Sequence, residues 1–136
     1  MYIQKGKWLR VSQVLIVYFN ERLMPNPRGL GEPDNGQYDY SSLVPWLPTT
    51  FLLVKREVYL AAGGFDENYI GSQHEDVDFC LKARSRGFQL YYAGEVMVTH
   101  YNCSRNNCHS ANIKYFKRRW ENHRDLFNSS NMKTSG

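Results

Sequence analysis

The sequence predicts an α/β fold, a mixed and partly antiparallel sheet with a few flanking helices, in one domain over residues 1–128 followed by a disordered tail over 129–136. Two segments carry apolar residues at helical spacing and are bounded by helix start and stop signals. Short β-branched and aromatic runs are punctuated by Gly, Pro and Asn, as strands are. Aromatic residues make up 15% of the 136 residues, which suits a packed core and excludes a disordered chain.

Taken in order, residues 9–19 (LRVSQVLIVYF) read as one or two strands. Residues 24–48 hold all 5 prolines and the run PRGLGEPDNG, and predict a long surface loop of the kind that carries function. TTFLLV, residues 49–54, predicts a short buried strand, and KREVYLAAGG a brief helix stopped by Gly63 and Gly64. Those two glycines permit a sharp turn in which Asp66 closes an Asx-type hydrogen bond, with Glu67 beside it and Phe65 in the core. A second helix runs from about Glu75 to Arg86 and ends at Gly87. FQLYYAGEVMVTH predicts a hairpin turning at Ala93-Gly94. After the polar loop YNCSRNNCHSAN, an amphipathic helix from about Asn112 to Phe127 presents Ile113, Phe116, Trp120 and Phe127 to the core.

With 17 basic and 13 acidic residues the net charge is +4, which suits an anionic partner. No run of about 18 apolar residues is present, so no membrane-spanning helix is expected, and the first residues carry no signal-peptide pattern. The 3 cysteines, an odd number without framework spacing, predict reduced thiols and a cytoplasmic setting.

Against this basic background, Glu75, Asp76 and Asp78 crowd one helix start. On a wheel of about 100° per residue, Val77, Phe79, Cys80, Leu81 and Ala83 share a broad arc. Glu75, Asp78, Lys82, Ser85 and Arg86 fall opposite, with Asp78 and Lys82 as a surface ion pair in the favourable acid-first order. Asp76 breaks the division, because it lies inside the apolar arc between Ala83 and Cys80. It therefore faces the body of the protein at a helix N-terminus, where free backbone N–H groups and the helix dipole favour a carboxylate. Two readings stand at this point: a first-turn acid that stabilises the helix, or a general base at the floor of a cleft.

The run FLLVKREVYLAAGGFDENYIGSQHEDVDFCLKARSRGFQLYYAGEVMVTHY, with its GGFDE turn, EDVDFCLKARSRGF helix and strand-end His, resembles the second half of family 2 glycosyltransferases of GT-A fold. Including RGLGEPDNGQYD before it and NIKYFKRRW after it, the resemblance covers about residues 28–127. It implies that Asp76 is the base that deprotonates an acceptor hydroxyl, that Glu75 assists, and that the reaction inverts the anomeric centre. It further implies that His100 is a ligand to a divalent metal, Mn2+ or Mg2+, carried with a nucleotide-sugar donor. Tyr38, Tyr40 and Trp46, in and after the long loop, are candidate sugar-stacking residues, and His74 is a further candidate for substrate contact. The implied partners are that donor and a carbohydrate or lipid-linked acceptor, with no nucleic acid.

The half of such enzymes that binds the nucleotide and ends in an Asp-x-Asp metal site has no counterpart in the sequence; the DVD at 76–78 belongs to the helix start. No cofactor is therefore expected on this chain alone, and transfer is expected to need a missing N-terminal half or a second subunit. Homo-oligomerisation is expected too, since a truncated sheet leaves edges and apolar surface uncovered. Three rival readings rest on other residues. The basic stretch Lys114, Lys117, Arg118, Arg119 and Arg124, interleaved with Tyr115 and Trp120, could meet nucleic acid or another anion. His100, Cys103, Cys108 and His109 could hold a structural zinc. The chain could also be a non-catalytic domain that completes a partner's site.

Overall fold

The computed structural model describes residues 2–4, 7–9, 17–27, 32–33, 35–71, 73–96 and 110–127. Among them lie six short strands, β1 (Tyr2–Gln4), β2 (Lys7–Leu9), β3 (Val17–Phe19), β4 (Pro25–Pro27), β5 (Ser42–Val44) and β6 (Leu90–Tyr92). Three α-helices accompany them: α1 (Arg56–Ala62), α2 (Glu75–Ser85) and α3 (Ser110–Trp120).

Glycine sets the helix ends. Gly63 adopts φ 80°, which a side chain resists, and its N–H and that of Gly64 cap the Leu60 and Tyr59 carbonyls of α1 at 3.1 and 3.0 Å. Gly87, at φ 86°, ends α2 in the same way through a 2.9 Å bond to the Arg84 carbonyl. Both helices thus hold the expected bounds. The third does not run as one piece: α3 stops at Trp120, and a separate 3-10 turn, Arg124–Phe127, carries the last core residue.

The strands form three antiparallel pairs, β1 with β2, β3 with β4 and β5 with β6, rather than one mixed sheet. The β5–β6 pair sits at the core, with Val44 and Leu90 both buried and in register. β6 pairs with β5, across the chain, and the 97–100 half of the expected hairpin lies outside the described residues. The expected bend is present, as Val96 N–H donates to the Ala93 carbonyl at 3.1 Å. Only glycine fits at position 94: a Cβ there would stand 2.3 Å from the Tyr40 carbonyl oxygen.

Three expectations are corrected. The loop predicted over 24–48 contains β4 and β5, because strands of three residues carry too little periodicity to stand out among prolines. Residues 49–54 are not a buried strand: a 3-10 turn (Thr49–Phe51) begins them, and Leu53 is 96% exposed. Only Leu52 and Val54 touch the core, so half of this apolar run faces outward. Phe65, expected inside, is exposed and merely edges against Tyr59 and Phe79.

Two apolar clusters flank α2. On one side Val77, Cys80 and Leu81 join Val44, Trp46, Tyr69, Leu90, Phe116, Trp120 and Phe127. On the other, Phe79 and Ala83 pack with Ala62 of α1. The helix is wrapped from both sides, which decides the fate of its charged residues. No helix among the described residues is long and apolar enough to cross a membrane.

Candidate functional site

The first turn of α2 presents three acids, and the fold treats each differently. Asp76 is partly buried, and its Oδ1 accepts the Val77 N–H at 2.8 Å. Burial, followed by repulsion from Glu75, pushes its carboxyl up from the usual 3.8 to about 6, against the pull of backbone bonds from Val77, Asp76 itself and Thr49. Glu75 Oε2 is buried without a hydrogen-bond partner among the described residues. Two carboxylates thus stand on adjacent residues, both partly buried, and backbone N–H groups answer Asp76. The Asp76 carboxyl can therefore hold or release a proton near neutral pH.

Asp78 was expected on the surface, and the structure reverses that. It is completely buried. Its Oδ1 accepts the Trp120 indole N–H at 2.8 Å and the Tyr69 hydroxyl at 3.2 Å, and faces Arg119 Nε at 3.1 Å. Its Oδ2 pairs with Lys82 Nζ at 3.3 Å, the expected i, i+4 partner in an unexpected setting. The wheel assumed one buried face, whereas α3 covers the second.

Arg119 also binds Asp66 Oδ2 at 2.7 Å, to which the Tyr115 hydroxyl donates at 2.9 Å. Asp66 meanwhile closes the expected Asx turn, accepting the Asn68 N–H at 3.0 Å. Burial would raise the Asp66 carboxyl, but the Asn68, Tyr115 and Arg119 contacts outweigh it and hold it below the usual value. The GGFDE turn, α2 and α3 are therefore pinned together by one polar network.

Among the described residues, the other sequence-predicted ones have partners of their own. His74 is buried directly before α2 against the Phe116 ring at 5.2 Å, and burial lowers its pKa. Trp46 lies in the core, its indole N–H pointing to the Tyr18 carbonyl at 3.4 Å. The Tyr38 hydroxyl donates to Glu32 at 2.8 Å, while Tyr40 is exposed with its ring edge against Tyr92. His100, with Cys103, Cys108 and His109, lies outside the described residues, as does the tail over 129–136. A cleft of about 230 Å³ opens elsewhere, between Arg22 and α3, where Lys117 and Arg124 overhang Phe116 and Trp120. Along α3, Trp120 is buried, while Tyr115 is half-buried with its hydroxyl bound to Asp66 and Arg118 5.9 Å from its ring centroid.

The chain is similar to a rhamnosyltransferase. Over 81 residues it is 30% identical to rhamnosyltransferase WbbL of Escherichia coli, a match that covers 58% of this chain and 28% of that protein. A second match of 81 residues, also 30% identical, is to the uncharacterized protein y4gI of Sinorhizobium fredii, and covers 53% of this chain and 9% of that protein. The chain thus spans about a quarter of the one and about a tenth of the other. No protein-family model matches it, and no solved structure does.

What the sequence reading missed is Arg119, Tyr69 and Trp120 as partners of one buried acid. Each carries a polar tip on an otherwise apolar or basic segment, and only the packing of α3 on α2 shows that the tips converge.

Proposed function

We propose that this chain is the acceptor-side part of an inverting glycosyltransferase of GT-A type, with Asp76 as the base. The observation that carries the reading is the Glu75–Asp76 pair: two partly buried carboxylates at a helix start, with no cation paired to either among the described residues. The similarity to a rhamnosyltransferase supports the reaction class. A carboxyl titrating at about 6 is charged at neutral pH yet basic enough to take a hydroxyl proton.

In this reading Asp76 removes the proton of an acceptor hydroxyl as that oxygen attacks the anomeric carbon of a nucleotide-sugar. The new C–O bond forms on the face opposite the bond that breaks, and the nucleotide diphosphate leaves with the electron pair. Glu75 keeps Asp76 basic by its charge. His100 would be this chain's own ligand to a Mn2+ or Mg2+ ion bound with the diphosphate, whose charge would stabilise the leaving group. The rest of the donor site belongs to a nucleotide-binding half or a partner subunit.

The test is sugar transfer from UDP-, GDP- and dTDP-sugars with Mn2+ by the protein containing this chain. Asp76→Asn should lower kcat by about 10²–10⁴-fold while the fold is retained. Undiminished transfer by that variant would overturn the assignment. A parallel NMR titration of this chain with the same nucleotides should shift the amides of Glu75 to Val77 if the donor reaches the pair.

A further inference from the structure

The approach to Asp76 is held in an unusual backbone. Gln73 and His74 both take left-handed φ values, 86° and 76°, though neither is glycine. Such residues persist in that region only where their surroundings over-determine them. His74 then opens α2, its carbonyl accepting the Asp78 N–H at 2.9 Å. The elbow leads directly into the turn that carries Asp76.

One side chain from the far end of the sequence secures the elbow. Asn112, in the first turn of α3, is 1% exposed. Its Oδ1 accepts the Ile70 N–H at 3.0 Å, and its Nδ2 donates to the Ile70 carbonyl at 3.0 Å and the Gln73 carbonyl at 3.1 Å. A single primary amide, with one acceptor and two donors used, bridges the entry and the crest of the elbow. Phe116, one turn further along α3, backs the His74 ring.

We propose that Asn112 is a positioning residue for Asp76: by clasping Ile70 and Gln73 it holds the left-handed elbow that sets the place of the Asp76 carboxylate. The proposal rests on Asp76 being the functional base, but its test does not, because it reads the environment of the carboxyl directly. Glu75 and, one turn on, Cys80 are the titratable groups that interact with Asp76, both on α2, and the Thr49 backbone approaches it from the 3-10 turn.

The experiment is a ¹³C NMR titration of the Asp76 carboxyl in the intact chain. In Asn112→Ala the midpoint should drop from about 6 by about one pH unit or more toward 3.8, as the released turn lets the carboxylate reach water. The Ile70 amide should exchange about tenfold faster or more. Val44→Ala, a core truncation on β5, should leave the midpoint where it is. An unmoved midpoint in folded Asn112→Ala, or an equal shift in Val44→Ala, would overturn the proposal. Should Asn112→Ala not fold, Gln73→Gly decides: glycine accepts φ above zero freely, so with the clamp intact the midpoint should stay, and a shift would show that the clamp does not hold the elbow. Loss of transfer in Asp76→Asn is a separate result, so either idea can fail alone.

Discussion

Asp76 and Asp78 stand two residues apart on the first turn of α2 and live in opposite electrostatic worlds. Asp78 is sealed from water and ringed by Trp120, Tyr69, Lys82 and Arg119. Asp76 is given backbone N–H groups and a like-charged neighbour. The difference comes from what packs on each side of the helix. α3 and the turn before α2 deliver polar tips to Asp78, whereas the 3-10 turn beside Asp76 delivers only main chain. One acid fastens three elements; the other is left with a proton affinity suited to exchange.

Removing the fastened acid should have the larger effect on stability. Asp78→Ala leaves a buried indole N–H, a buried hydroxyl and two cations without their shared acceptor, and should cost about 3–5 kcal/mol in urea unfolding. A loss below about 1 kcal/mol would erase the distinction between the two acids.

Removing the other acid should have the opposite sign. The folded-state value of Asp76, about 6, is above its ordinary 3.8, so the neutral form is the one the fold favours. That contribution is whole below pH 3.8 and is lost as the pH rises through about 6, beyond which the buried charge is a burden. Asp76→Asn, which is neutral throughout, should therefore be more stable than the parent by about 1–3 kcal/mol at pH 7.5 and equal to it at pH 3.5. Unfolding curves at both pH values check this. A variant that is destabilised at pH 7.5 would make Asp76 another structural acid.

The legible parts of this molecule are those whose cause is local. Gly63 and Gly87 end helices because a left-handed residue is needed there, and the Asx turn at Asp66 needs only Asn68. Phe116, Trp120 and Phe127 were placed in the core by their spacing, although the chain breaks helix between the last two. The inward turn of Asp76 was legible from the wheel for the same reason. What could not be read is non-local. Asp78 seemed a surface residue because its partners come from α3 and the turn at Tyr69, and nothing near it in sequence announces them. Residues 49–54 have strand composition but meet no pairing edge among the described residues, so composition alone misled. Asn112 has no sequence signature at all; an Asn at a helix start reads as a cap.

The finest probe of the comparison is Lys82→Met. Lys82 is mostly buried, with its Nζ 3.3 Å from Asp78 and 2.6 Å from the Gly64 carbonyl. Methionine keeps the apolar stem and drops both polar contacts. Arg119 remains on Asp78, so the carboxylate is not stranded, and the expected cost is about 1 kcal/mol. In a double-mutant cycle with Asp78→Ala the coupling should account for most of that cost, since the Gly64 carbonyl, at a turn, can turn to water. The same substitution should leave the Asp76 midpoint within a few tenths of a pH unit. The Asp78 network would then be a fastening that bears on α2 as a whole, while the proton affinity of Asp76 is set by burial and by Glu75. A midpoint that followed Lys82 would mean that the two acids are electrostatically one site.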